Sequence, residues 1–204
     1  MSKSLHVNRI EALTDGVFAI AMTILVLSLE LPKGDGSVAS RVWTLWPKLA
    51  SYVVSFVMLG VLWIGHHYQL NHMRRTNRPL IWINLAFLLS ITFLPFNAAV
   101  LGSTYEDPGA VAIYAGTILL SGVTLLAHWR YACRRPELMV PDLDPAVVRG
   151  LEVRIVAGLV LSALSIALAF VDTRASLIVL LLLPVGYFAR TPIDERVAPR
   201  VEKT

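Results

Sequence analysis

The feature that most constrains this chain is a series of apolar stretches separated by short polar segments. Four of them carry no formal charge or only charges near their ends, and each reaches the roughly 20 residues that a helix needs to cross a bilayer. Two shorter stretches follow. The pattern predicts an all-α membrane protein of six transmembrane helices, with approximate spans 9–31, 45–71, 79–103, 108–132, 148–171 and 174–190.

The composition favours the same fold class. Of the 204 residues, 56% are hydrophobic and only 16% are charged, against about 25% charged residues in an ordinary soluble domain. A soluble protein this small needs more polar groups than that to cover its surface. Because six spans use most of the length, we expect one transmembrane domain over residues 1–204 and no separate enzyme domain.

The distribution of Lys and Arg predicts the orientation in the membrane. The amino terminus, the 72–79 loop, the 130–154 loop and the carboxyl-terminal tail hold 14 of the 18 cationic residues. The positive-inside rule therefore places both termini in the cytoplasm, which also requires an even number of spans. Since the cations flank membrane spans, they indicate topology, and we expect no nucleic-acid partner.

The first span has two different faces when its residues are placed on a helix at about 100° per residue. Asp15 falls opposite an apolar stripe and lies well inside the span. A carboxylate at such a depth is costly and requires polar partners. The apolar face carries Leu13, Gly16, Ile20, Thr23, Ile24, Leu27 and Leu31.

Depth along the neighbouring spans suggests what those partners are. The second span ends, and the third begins, on the cytoplasmic side, so their polar residues approach the depth of Asp15. We expect one buried polar cluster around Asp15, with members drawn from Thr14, Trp63, His66, His67 and Asn84. Such a cluster is either structural, joining helices, or a proton relay or cation site that uses a histidine. Adjacent histidines point in different directions on a helix, so a chelating metal site is not expected.

The same residues carry a family resemblance. Arg9-x-x-x-Leu13-Thr14-Asp15 resembles the Arg-x-x-x-Phe-Ser-Asp signature of the transmembrane protein 175 (TMEM175) family, with Leu13-Thr14 in place of Phe-Ser. Trp63-Ile64-Gly65-His66-His67 resembles the second-helix pattern of that family. Asn84-Leu85 and Phe93-Leu94-Pro95-Phe96 resemble its third helix. The likeness is specific over residues 9–101 and the length matches the bacterial six-helix form.

The resemblance implies a potassium-permeable channel in the bacterial plasma membrane. It implies a homotetramer whose first helices line a central pore, with modest selectivity for potassium over sodium and without the Thr-Val-Gly-Tyr-Gly filter. By distance from Asp15, the residues that narrow the pore are Ile20, Ile24 and Leu27, and Thr23 is the polar position among them. Potassium is then expected near Ile20 and Thr23, as the permeant ion and not as a cofactor.

The resemblance also assigns a polar network that holds the helices together. Its members are Arg9, Thr14, Asp15, Trp63, His66, His67, His72 and Asn84, and the sequence leaves open which histidine joins Asp15. The alternative function is a proton-coupled secondary transporter that uses Asp15 and a second-helix histidine. A scaffold is a third possibility, and an enzyme is disfavoured because the loops offer no nucleophile and base in an obvious arrangement.

Overall fold

The computed structural model describes residues 7–33, 35 and 37–188. Residues 189–190 of the last expected span, and the terminal cations that enter the orientation argument, lie outside these ranges. Within them the chain forms seven α-helices and no strand, apart from one isolated bridge between Met73 and Met139. The helices are α1 (Val7–Ile24), α2 (Val38–Trp43), α3 (Trp46–Asn71), α4 (Arg78–Ser103), α5 (Pro108–Cys133), α6 (Pro145–Ala169) and α7 (Thr173–Phe188).

The all-helical class is confirmed, and five helices are long and apolar enough to cross a membrane. These five are α1 with the 3₁₀ turn Leu25–Ser28 that follows it, α3, α4, α5 and α6. The apolar part of α7, Thr173–Pro184, is shorter. That part has fewer than the roughly 20 residues that a straight crossing of the bilayer needs.

Asparagine, aspartate and proline define where the long helices begin. The side chain of Asn77 accepts a hydrogen bond from Leu80 N (3.0 Å), and Asp144 accepts one from Ala146 N (2.7 Å). Each such cap satisfies a backbone N–H that the first helical turn cannot pair. Proline occupies the first turn of α3, α4, α5 and α6, where its missing N–H is harmless.

The helices pack mainly against their neighbours in sequence from α3 to α7, and α1 packs against α3 and α4. The centre of the bundle consists of large side chains without solvent contact, among them Leu59, Phe87, Ile91 and Leu94. Phe18 of α1 is 2% exposed and its ring lies 5.9 Å from that of Phe87. One face of α1 is therefore bound to the bundle, and α1 occupies its edge.

Gly102 marks a close approach between the carboxyl end of α4 and the amino end of α3. A methyl group added there would lie 3.0 Å from the Lys48 Cα and 3.2 Å from the Ser51 Cβ, whereas one added at Gly116 would meet nothing within 4 Å. We expect Gly102→Ala to be less stable than Gly116→Ala by about 1–3 kcal/mol, the usual range for overpacking. Thermal unfolding of both variants in detergent tests this, and equal melting temperatures would contradict the close approach.

Candidate pore-lining helix and polar network

The two faces of α1 have opposite environments. Ile10, Thr14, Phe18 and Ala21 are buried against the bundle. The other face is open in the single chain, and its apolar members include Leu13, Ile20, Ile24 and Leu27. Ile20 is 59% exposed and Leu27 is 70% exposed. The burial pattern agrees with the faces predicted from helical periodicity, because residues three and four apart share one side of a helix.

Thr23 lies on the open face, and its hydroxyl hydrogen is already used. The Thr23 Oγ1 is 3.0 Å from the Ala19 carbonyl oxygen and 2.9 Å from that of Ile20. Because a hydroxyl has one hydrogen, these two contacts share it, and the lone pairs of the oxygen remain available as acceptors. The exposed side chain of Thr23 therefore offers the chemistry that binds a cation.

A groove runs beside the open face, between α1 and α4. It encloses about 450 Å³ and is lined almost entirely by apolar atoms. The α4 side is formed by Thr92, Pro95, Phe96 and Ala99. The α1 side is formed by Val17, Ile20, Ala21, Ile24, Leu27 and Ser28.

The expectation that Asp15 is buried in one cluster is wrong. Asp15 is exposed in the single chain, and Thr14, one position earlier, is the buried residue. A rotation of about 100° between consecutive residues turns Thr14 into the bundle and leaves Asp15 at its edge. There the Asp15 Oδ1 accepts a hydrogen bond from the Trp63 Nε1 (2.8 Å). The Thr14 hydroxyl makes no hydrogen bond with a described residue.

A second contact between α1 and α3 lies one turn away from the first. The His67 Nδ1 is 3.3 Å from the Glu11 Oε1, and the His67 ring stacks on Trp63 with centroids 5.3 Å apart. Each helix thus contributes two polar residues four positions apart, which lie on one face. Two matched contacts fix the axial position of α1 relative to α3. Sequence reasoning missed Glu11, although its spacing from Asp15 repeats that of Trp63 and His67.

His66 belongs to a separate, fully buried cluster. Its Nε2 lies 2.7 Å from the Asn84 Oδ1, and its ring stacks on Phe87 at 5.0 Å. Because a carbonyl oxygen only accepts, the Nε2 is the donor. The Nδ1 makes no hydrogen bond with a described residue. The expected single cluster is therefore two clusters, because His66 and His67 project about 100° apart from α3.

The buried cluster extends to two residues that sequence reasoning did not assign. The His128 ring lies 5.1 Å from that of His66, and its Nδ1 is 2.8 Å from the Gln69 Oε1. The Gln69 Nε2 in turn donates to the Leu125 carbonyl (3.1 Å), which fixes the amide orientation. Gln69 follows His66 by three positions on α3, and that spacing was the available signal.

The remaining predicted members lie apart from Asp15. The His72 Nδ1 pairs with the Tyr68 carbonyl (2.8 Å), and its ring meets Trp129 edge-on. Arg9 is exposed and makes no hydrogen bond or ion pair with a described residue. Over the same ranges, no three His, Cys, Asp or Glu side chains are grouped as a metal ion requires.

The contact between Asp15 and Trp63 is expected to stabilise the packing of α1 on α3. In a double-mutant cycle, Asp15→Ala and Trp63→Phe should show a coupling energy of about 1 kcal/mol, typical of hydrogen bonds between membrane helices. Reversible unfolding in mixed micelles measures it. Thr23→Ala with Trp63→Phe is the control pair, since Thr23 lies two turns further along α1, has its hydroxyl directed to its own helix and should show no coupling. Equal coupling in both pairs would contradict the assignment.

Five long apolar helices in the described part of the chain, one of them packed against the bundle on one face only, define a helical membrane protein. The sequence profile of the family described as endosomal/lysosomal potassium channel TMEM175 matches residues 9–95. A potassium channel of Streptomyces collinus is 32% identical over 199 residues, which cover 93% of this chain and 96% of that protein. A potassium channel of Chamaesiphon minutus is 31% identical over 188 residues, covering 89% and 92%.

A solved structure has the same fold. It is the crystal structure of a lysosomal potassium-selective channel TMEM175 homolog from Chamaesiphon minutus, with a TM-score of 0.78 and 28% sequence identity. The match covers 89% of this chain and 95% of that one. The chain belongs to the TMEM175 family of ion channels, as the signature around Asp15 predicted.

Proposed function

We propose that this protein is a potassium-permeable channel formed by four copies of the chain around a central pore lined by α1. The observation that carries the proposal is the open apolar face of α1. That face is held outward by polar and aromatic contacts on the opposite side of the same helix, namely Asp15 with Trp63 and Phe18 with Phe87. A helix anchored from behind can present a fixed surface to its copies.

The constriction in this proposal is formed by rings of Ile20, Ile24 and Leu27. A narrow passage lined by branched aliphatic side chains loses its water, and a bare ion then pays a large desolvation cost. The 59% and 70% exposure of Ile20 and Leu27 in the single chain provides the surface from which such rings would be built. Opening requires the four helices to separate or the side chains to rotate.

Cation preference follows from dipoles and not from fixed charges in the pore. Four Thr23 oxygens, with their hydrogens directed to the backbone, would replace part of the hydration shell of an ion near Ile20 and Thr23. The carboxyl end of α1 carries partial negative charge, and Glu30 is exposed just beyond it. Because one ring of four hydroxyl oxygens replaces only part of the hydration shell, modest selectivity for potassium is expected, and no cofactor beyond the permeant ion is required.

In the proposed channel, each chain crosses the membrane six times. The protein would lie in the plasma membrane of a bacterium. With α7 as the sixth crossing, the loops after α3 and α5 are in the cytoplasm together with both termini. The whole chain then acts as one transmembrane channel domain. The long spans α1, α3, α4, α5 and α6 support this arrangement by their length and apolarity.

Ion flux from purified protein in vesicles tests the proposal. Vesicles loaded with potassium and placed in sodium buffer should develop a negative interior potential, and the reversed gradient should give the opposite sign. The ratio of potassium to sodium permeability is expected to be several-fold and at most about tenfold, which is ~1.4 kcal/mol of discrimination. Protein-free vesicles with valinomycin give the reference for perfect potassium selectivity. Absence of flux in either direction would contradict a channel.

The buried imidazoles favour one second candidate, a proton-coupled transporter. His66 and His128 each keep one ring nitrogen without a hydrogen bond to a described residue, and side chains of this type inside a span are the usual parts of proton relays. A transporter would accumulate substrate against its gradient when a pH difference is applied, and Asp15→Asn would abolish that coupling. Passive flux that persists without a pH difference identifies the channel instead.

A further inference from the structure

Five arginines gather at one end of the bundle, on two loops that are joined by hydrogen bonds. The Arg74 and Arg75 backbone N–H groups both donate to the Leu138 carbonyl (2.9 and 3.3 Å), and the Val140 N–H donates to the His72 carbonyl (3.0 Å). The loop after α3 is thereby fixed to the loop after α5. We call this the basic loop surface, and its arginines are Arg74, Arg75, Arg78, Arg134 and Arg135.

Tyr131 connects the two halves of the basic loop surface. The Arg135 guanidinium lies 3.8 Å from the centre of the Tyr131 ring, and the Asn77 amide donates to the Tyr131 hydroxyl (3.2 Å). Asn77 also caps α4, so Arg78 follows immediately. The positions of the arginines are therefore set by the fold, although the ends of most of them are exposed.

None of these five arginines forms an ion pair with a carboxylate of the described residues. Over the described ranges, the two contacts between a basic and an acidic side chain join Glu11 to His67 and Arg130 to Glu152, and neither includes any of the five. The Arg74 Nε contacts only the Glu137 backbone carbonyl (3.4 Å). Guanidinium groups on two joined loops repel one another, and an external anion that binds several of them at once would relieve that repulsion.

The position of the basic loop surface along the membrane normal indicates where that anion lies. The arginines lie where α3 and α5 end and α4 begins, at the edge of the apolar spans. Trp82, one turn beyond Arg78 on α4, is 71% exposed, and exposed tryptophan is typical of the membrane–water interface. We propose that the basic loop surface binds the phosphate headgroup of an anionic phospholipid in the inner leaflet. The proposal rests on the proposed membrane placement and not on ion conduction.

Native mass spectrometry of the purified protein titrated with phosphatidylglycerol or phosphatidylcholine tests the lipid site. Wild-type protein should retain phosphatidylglycerol in preference to phosphatidylcholine. The triple variant Arg75→Gln/Arg78→Gln/Arg135→Gln should lose that preference by about tenfold or more, since each basic residue near an anionic membrane contributes about fivefold. The control is Lys33→Gln/Arg41→Gln/Arg174→Gln, which removes the same charge from the opposite end of the bundle and should retain the preference.

Three outcomes would overturn the proposal. The first is an unchanged preference in the Arg75/Arg78/Arg135 variant, and the second is an equal loss in the control. The third is complete displacement of the lipid by millimolar glycerol 1-phosphate, which would show a site for a soluble phosphate. If the triple variant does not fold, the double variant Arg75→Gln/Arg78→Gln takes its place, because it removes only exposed side chains. Its preference for phosphatidylglycerol should still fall several-fold. Because the readout is bound lipid and not flux, it remains decisive even if the protein conducts no ions.

Discussion

Replacing Ile20 by asparagine is expected to raise potassium flux through the reconstituted protein by about tenfold, equivalent to ~1.4 kcal/mol off the barrier. In the proposed tetramer the change places four amides where four apolar side chains exclude water, so the passage stays hydrated. Ile20 is 59% exposed in the single chain, and none of the bundle core depends on it. The flux assay in vesicles measures the effect at equal protein content.

The matched control for that experiment is Ile113→Asn. Ile113 is 56% exposed on α5, away from α1, so the same chemical change there should leave flux unchanged. Size-exclusion chromatography shows whether each variant still assembles. An assembled Ile20→Asn protein with wild-type flux would mean that Ile20 is not part of the constriction.

Replacing Asn84 by leucine is expected to be among the most destabilising single changes in the chain, by about 2–3 kcal/mol. Asn84 and His66 are almost completely buried, and the Asn84 Oδ1 is the acceptor for the His66 Nε2 at 2.7 Å. Leucine has the same branched shape and number of side-chain heavy atoms but cannot accept, so a buried N–H loses its partner. Chemical unfolding in mixed micelles measures the loss.

The double variant His66→Phe/Asn84→Leu distinguishes the lost hydrogen bond from altered packing. Removing both partners leaves no unpaired donor, so the double variant should recover most of the stability that Asn84→Leu loses. The stacking of residue 66 on Phe87 is kept by the phenylalanine ring. A double variant that is less stable than Asn84→Leu would show that shape, and not the hydrogen bond, makes this position sensitive.

Local rules were sufficient for the long helices and for the faces of α1, whereas the short helix α2 was not predicted. Long apolar stretches, with Asn77 or Asp144 and a proline at the start, identify a helix from its own residues. Periodicity then placed Ile20 and Leu27 together and opposite Phe18, and the burial of Phe18 agrees. Each of these features depends on one helix at a time, so sequence alone contains it.

The polar clusters depend on how helices sit against each other, and periodicity does not fix that. Depth along the spans brought Asp15, Trp63, His66 and Asn84 to one level. It could not give the rotation of α3, which decides that His67 faces α1 and His66 faces α4. His128 lies on α5, and its contact with Gln69 follows only from the α3–α5 packing. The proposed pore would lie between copies of the chain, so its lining depends on contacts that one folded chain does not contain.

Cadmium block of an Ile20→Cys variant tests most directly whether four α1 helices surround the ion path. The chain has one cysteine, so Cys133→Ser supplies a thiol-free background. Four thiolates around one axis form a strong site for a soft cation, and we predict that micromolar cadmium stops potassium flux in Ile20→Cys and spares Ile113→Cys. Undiminished flux through a conducting, assembled Ile20→Cys protein in cadmium would contradict a pore lined by α1.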